Sequence, residues 1–263
     1  MPEPLRLDAE LRERVWGRTR LAPWFQNSDR LIGEAWYLAG SDLPLLVKLL
    51  FTSERLSVQV HPDDGEDGQR GKTEMWHILA AEPGATIALG FREPITRERL
   101  WDASRTGEVE HLLNWMPVKA GETYFTPAHT VHAIGAGVVL AEIQQNCDLT
   151  YRLWDYGRAR ETHLEKAIPI CDLGVHPGPS HPVPLGERRQ ELVRSKHFIT
   201  EVVTLPAGAS LLPEHHDCHL WMSLEGEAAI GGQPVAAGQV WLLPEPAEVR
   251  ALTPARFLRT WVP

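Results

Sequence analysis

A chain of 263 residues has room for one large all-β domain or two small ones. Its 26 Lys and Arg against 35 Asp and Glu leave a net charge of −9, which excludes a basic field able to hold a nucleic-acid or membrane phosphate backbone. Hydrophobic residues make up 43% and charged residues 23%, with no apolar run of membrane-spanning length, so a soluble globular protein is expected.

The opening stretch MPEPLRLDAELRERVW lacks the basic and apolar regions of a secretory signal, and a cytoplasmic location is expected. Seven segments of strand length then follow in order: 43–51, 55–61, 74–80, 85–91, 122–128, 138–145 and 149–156. Most are bounded by Gly, Pro, Asp or Asn, which suits a β-barrel or sandwich. The passage 94–116 differs: Leu100, Trp101, Leu112, Leu113 and Trp115 recur at helical spacings behind Pro94, and one or two helices are expected there. Residues 172–196 carry four prolines and read as a connecting segment. Beyond it the strand and turn rhythm resumes, giving a larger N-terminal unit over 1–171 and a smaller β unit over 197–263. KAGETYFTPAHTVHAI (119–134) and AAGQVWLLPEPAEVRAL (236–252) echo each other, as two copies of one small barrel would. Cys147, Cys171 and Cys218 lack C-x-x-C spacing and suit reduced packing thiols.

The residues that offer chemistry are dispersed. Ser57, Gln59 and His61 lie two apart, so a strand projects all three from one face while Val58 and Val60 enter a core. Lys72 and Glu74 share a face at the start of the next segment, and His129, His132, Glu142, Gln144 and Arg152 follow. Gln59, His61, Glu74 and His132 form an N/O donor set suited to Zn²⁺ or another borderline divalent ion with a position open for substrate. The competing reading makes His61 and His132 satisfied core histidines and pairs Glu74 with Lys72. A second cluster, His215, His216, Cys218 and His219, reads either as an extra metal site or as a solvated loop plus a core histidine.

The blocks LPLLVKLLFTSERLSVQVHPDD, GKTEMWHIL, VKAGETYFTPAHTVHAIGAG and LAEIQQNCDLTYRLWDYGR resemble, in order, the class I mannose-6-phosphate isomerases, most closely their short bacterial form. The resemblance implies a tandem cupin fold with a short helical insertion. It implies one Zn²⁺ per chain on Gln59, His61, Glu74 and His132, with Gln59 the dispensable member. It places the family's essential arginine on Arg152, its phosphate-binding positions on Ser57 and Arg158 with Lys48 nearby, and sugar-site positions on Lys72 and Glu142. The reaction implied is interconversion of mannose 6-phosphate and fructose 6-phosphate through a cis-enediol, with Lys72, Glu142 and a metal-bound water as proton-transfer candidates. Its partner is then a small sugar phosphate. An isomerase of another phosphosugar such as glucose 6-phosphate, and a non-catalytic cupin that binds a sugar phosphate, are the alternatives. One departure is His129, where the family usually has Gly.

Overall fold

The computed structural model describes residues 3–38 and 43–263, and these are mostly β. Among them no helix is long and apolar enough to cross a membrane. Twelve strands form one large sheet. Its N-terminal part runs through Leu5–Arg18, Ile32–Leu38, Leu45–Phe51, Val138–Gln145, Glu74–Ala81 and Thr123–Thr126. A five-stranded sheet, ordered Tyr151–Trp154, Val58–Val60, His132–Ile134, Thr86–Phe91 and Leu113–Pro117, faces it. The apolar layer between the two includes Trp16, Leu50, Trp76, Ile78, Ile87, Leu89, Ile134 and Leu140. The C-terminal part of the large sheet packs in the same way on a four-stranded sheet, through Val203, Trp221, Ile230, Val249 and Phe257 among others.

These two sandwiches lie back to back. Alternation decides it: along Val138–Gln145 every residue is buried, because both faces of the strand are covered. Val139, Ala141 and Ile143 enter a core shared with Leu192, Phe198, Val202, Leu220 and Met222 of the other half. Val138 and Leu140 enter the sandwich interior instead. The strand Leu5–Arg18 bridges the halves, pairing with Val240–Leu242 over Leu5–Leu7 and with Ile32–Leu38 from Asp8 onward. This is the two-unit β architecture of a tandem cupin.

The helical passage begins as expected. Thr96 caps the helix Arg97–Thr106 by accepting from the Arg99 amide at 3.1 Å, and Gly107 ends it at φ 85°. Leu100 and Ala103 pack on the outer face of the five-stranded sheet with Val58, Val60 and Leu153. Trp115 is not helical: after the short helix Val109–Leu112 the chain extends into Leu113–Pro117 and pairs Trp115 with Ala88. Two long strands before residue 43 carry a signal the segment reading passed over. Leu5, Leu7, Ala9 and Leu11 alternate with Arg6, Asp8, Glu10 and Arg12. Within 172–196, Val183–Pro184 and Arg189–Arg194 are strands of the large sheet. The echoed glycines Gly121 and Gly238 both adopt positive φ, 91° and 83°, before the strands Thr123–Thr126 and Val240–Leu242.

Candidate active site

The sandwich interior changes from apolar to polar at one end. On the face that carries Leu140, the next alternate residues are Glu142 and Gln144. Beside them the interior face of Leu45–Phe51 offers Lys48 below Leu50, and that of Glu74–Ala81 offers Glu74 below Trp76. Register then makes neighbours of Lys48, Glu142 and Trp76, and of Gln144 and Glu74. From the opposing sheet, Arg152, Gln59 and His132 form a cross-strand row.

His61, Glu74 and His132 bring one donor atom each within 4.8 Å of one another, and all three are buried. His61 Nδ1 donates to the Leu149 carbonyl at 2.9 Å and His132 Nδ1 to the Thr130 carbonyl at 2.8 Å. A carbonyl only accepts, so Nδ1 carries the proton in each ring and Nε2 keeps its lone pair. Those two Nε2 atoms lie 3.6 and 3.4 Å from the Glu74 carboxylate. Neither oxygen of Glu74 accepts a hydrogen bond, although Lys72 Nζ is 3.1 Å from Oε2. Burial lowers the His61 pKa well below the usual imidazole range and that of His132 to about 4, so both rings are neutral. Two lone pairs converging on a buried carboxylate with unfilled acceptor sites is a donor set that fits a divalent cation. Gln59 stands beside it, with Nε2 3.3 Å from His132 Nε2 and Oε1 accepting from Ser57 Oγ at 3.1 Å.

A second network adjoins the first. Glu142 accepts from Lys48 Nζ at 3.0 Å and from Trp76 Nε1 at 3.1 Å, one donor to each oxygen. Burial alone would raise its pKa, but Lys48 and Lys72 outweigh burial and keep it a carboxylate. Burial raises the Glu74 carboxyl, with the nearby Glu142 charge adding to it. Lys72 Nζ also lies 3.1 Å from His61 Nε2.

A cavity of about 430 Å³ opens on this end, lined by Lys48, Ser57, Gln59, Lys72, Glu142 and Arg152 among others. Arg152 donates from Nη1 to the Glu161 carbonyl at 2.6 Å; its Nε is buried without a partner, and no carboxylate lies within 4 Å among the described residues. Arg158 does not line the cavity. It turns to Asp155 at 2.8 Å and to the Arg55 carbonyl at 2.7 Å, beside a separate surface recess. Arg160 lines the cavity in its place, held bidentately by the same Asp155 at 2.6 and 2.7 Å. Sequence reasoning also passed over Arg12, Arg14, Glu34 and Trp36, which complete the wall from the first two strands. In all, six cations and three carboxylates line a cavity in a chain of net charge −9.

The remaining histidines sort differently. His129 takes φ 74° where glycine is usual, and its ring pairs with Glu66 at 2.9 Å in a larger recess of about 790 Å³ that contains none of the three donors. In the smaller unit the His219 Nε2 lone pair accepts from Trp221 Nε1 and Arg259 Nε, and His216 stacks on Trp261, so these residues serve packing.

No protein-family model matches the chain. A mannose-6-phosphate isomerase of Streptococcus mutans is 33% identical, over 66% of this chain and 69% of that protein. ManA, a mannose-6-phosphate isomerase of Bacillus subtilis, is 35% identical over 65% and 69%. The crystal structure of a Bacillus subtilis mannose 6-phosphate isomerase matches with TM-score 0.88 at 23% identity, covering 98% of this chain and 99% of that one. A zinc-bound mannose 6-phosphate isomerase matches with TM-score 0.80 at 15% identity, covering 99% and 100%. The extent of the sequence identity, on a chain that folds throughout as those structures do, makes this protein a member of the mannose-6-phosphate isomerase family.

Proposed function

We propose that the chain is a metal-dependent aldose-ketose isomerase that interconverts mannose 6-phosphate and fructose 6-phosphate. The observation that carries this reading is the buried triad of His61, Glu74 and His132, its donor atoms converging beside a cation-lined cavity. Zn²⁺ is the ion this borderline donor set suits, and Gln59 adds an oxygen donor only if its amide turns from Ser57 to face the triad. When bound, it supplies Lewis-acid polarisation of the sugar carbonyl, which acidifies the neighbouring carbon.

The reaction moves one proton between C1 and C2 and another between O1 and O2, with no net redox change. Arg152 stabilises the negative charge that develops on the enediolate oxygens; a guanidinium stays protonated and makes a poor base. Of the two proton-transfer residues, Glu142 has both oxygens taken by Lys48 and Trp76, whereas Lys72 lines the cavity with its amine beside the triad. Burial would lower the Lys72 pKa, but the Glu74 and Glu142 charges outweigh it and keep Lys72 an ammonium, so Lys72 is the acid that gives a proton to the sugar oxygens, and Glu142 holds the cationic wall in place. Ser57 offers its hydroxyl to the phosphorylated end, with Lys48 as a deeper cation. The catalytic unit is 1–171: every cavity residue lies between Arg12 and Arg160. Residues 172–196 connect it to a smaller unit over 197–263, and their strands Val183–Pro184 and Arg189–Arg194 extend that unit's part of the large sheet.

A coupled assay of purified protein, before and after chelation, tests this reading. Turnover of mannose 6-phosphate that disappears with the metal and returns with Zn²⁺ is expected, at one ion per chain. Turnover indifferent to chelation refutes the metal mechanism. Turnover of glucose 6-phosphate alone assigns a different substrate, and tight mannose 6-phosphate binding without turnover indicates a sensor.

A further inference from the structure

Arg12 belongs to the strand Leu5–Arg18 and lines the cavity together with Trp36 of the adjacent strand. Its guanidinium carbon lies 3.5 Å from the centre of the Trp36 ring, a face-on contact. Stacking of this kind fixes the guanidinium plane and leaves its edge to hydrogen-bond. Nε donates to Glu10 at 3.0 Å, while neither terminal nitrogen has a hydrogen-bond partner among the described residues. Glu10 is 54% exposed, so that ion pair is weak and open to competition.

The other cations of the wall are committed. Lys48 serves Glu142, Lys72 serves Glu74 and His61, and Arg160 serves Asp155. Arg14 pairs with Glu34 at 2.5 Å. Arg152 is assigned above to the reacting oxygens, and Arg158 lies outside the cavity. The lining keeps a positive balance, six cations against three carboxylates, although Asp148 has no ion pair among the described residues. What remains is one arginine with free, pre-oriented donors and no catalytic task.

We propose that Arg12, laid on Trp36, binds the substrate phosphate and sets the preference for phosphorylated over free sugars. This rests on the isomerase reading and adds a recognition residue from the N-terminal strand. Two N–H groups on one edge match two phosphate oxygens, and the pre-set plane reduces the ordering cost of binding.

The test combines steady-state kinetics on mannose 6-phosphate with calorimetric binding of inorganic phosphate to the metal-loaded protein, for wild type, Arg12→Ala and Arg12→Lys. Arg12→Ala raises KM and weakens phosphate binding by roughly 10- to 100-fold while kcat stays within about threefold. Arg12→Lys falls between, since it keeps the charge and loses the fork. Unchanged KM and phosphate affinity in Arg12→Ala, with an active wild type, overturns the assignment and leaves the isomerase reading standing. Phosphate binding lost with Arg12 in a wild type that does not turn over mannose 6-phosphate supports the anion site and refutes that reading instead.

Discussion

Replacing Lys48 by Met keeps the length of the side chain and removes its charge from a site only 2% exposed. Glu142 then loses the donor at 3.0 Å, along with the nearer of the two cations that hold it ionised, and keeps only Trp76 Nε1 as a hydrogen-bond donor. At that separation the pair attraction is roughly 5 kcal/mol for an effective dielectric constant near 20, and much of it is offset by the desolvation both groups have already undergone. Removing one partner leaves the other buried and uncompensated, which costs about 3–5 kcal/mol. In urea, with a slope near 3 kcal/mol per molar, the unfolding midpoint of Lys48→Met should fall by roughly 1 to 2 M. The double variant Lys48→Met with Glu142→Gln removes both charges and should be more stable than Lys48→Met alone. A single variant within about 1 kcal/mol of wild type, or a cycle additive within about 0.5 kcal/mol, refutes the reasoning.

Arg152→Lys should lower kcat by at least tenfold while the melting temperature moves little, because no carboxylate depends on this guanidinium; equal loss of activity and stability would make it a structural residue. Gly107→Ala should destabilise by about 1–3 kcal/mol in chemical denaturation, since the residue sits at φ +85° and a Cβ would meet the Trp154 ring at 2.6 Å. Unchanged stability would mean that the ring gives way freely. Burial lowers the His77 pKa to about 4 and the His219 pKa to about 3, so each is neutral when folded and takes up a proton on unfolding below about pH 6.5. The unfolded chain binds more protons in that window, and stability falls as pH drops through it, by about 2 kcal/mol per group at pH 5. Denaturation midpoints that do not change between pH 7 and pH 5 would contradict this, and His77→Gln should shrink the slope.

The convergence of His61, Glu74 and His132 was legible because short blocks keep donor residues in fixed phase with apolar ones. Ser57, Gln59 and His61 alternate with Val58 and Val60, and the two valines do enter the outer core. Arg158 shows where phase stops helping. It lies in a loop past the strand Tyr151–Trp154, where no periodicity fixes direction, and Asp155 draws Arg158 and Arg160 to different sides. Trp36 and Arg12 were missed for another reason. Their strands alternate clearly, but alternation does not say which strands are neighbours, and only cross-strand pairing brings Glu10 opposite Trp36 and Trp36 opposite Lys48. Trp115 looked helical because a four-residue helix and a strand meet at Leu113, too abruptly for a periodicity to register.

The strand Leu5–Arg18 can find its complete set of partners only after the strand Val240–Leu242 has been made. Leu5 pairs with Leu242, a contact that closes nearly the whole length of the sequence, while Asp8 onward pairs at short range with Ile32–Leu38. During synthesis the first part of that strand therefore presents an open edge until the C-terminal strands emerge, and a contact of such separation is slow to form. The same strand carries Arg12, four residues beyond the junction at Asp8, in the part that pairs at short range, so its contact with Trp36 needs only the neighbouring strand Ile32–Leu38.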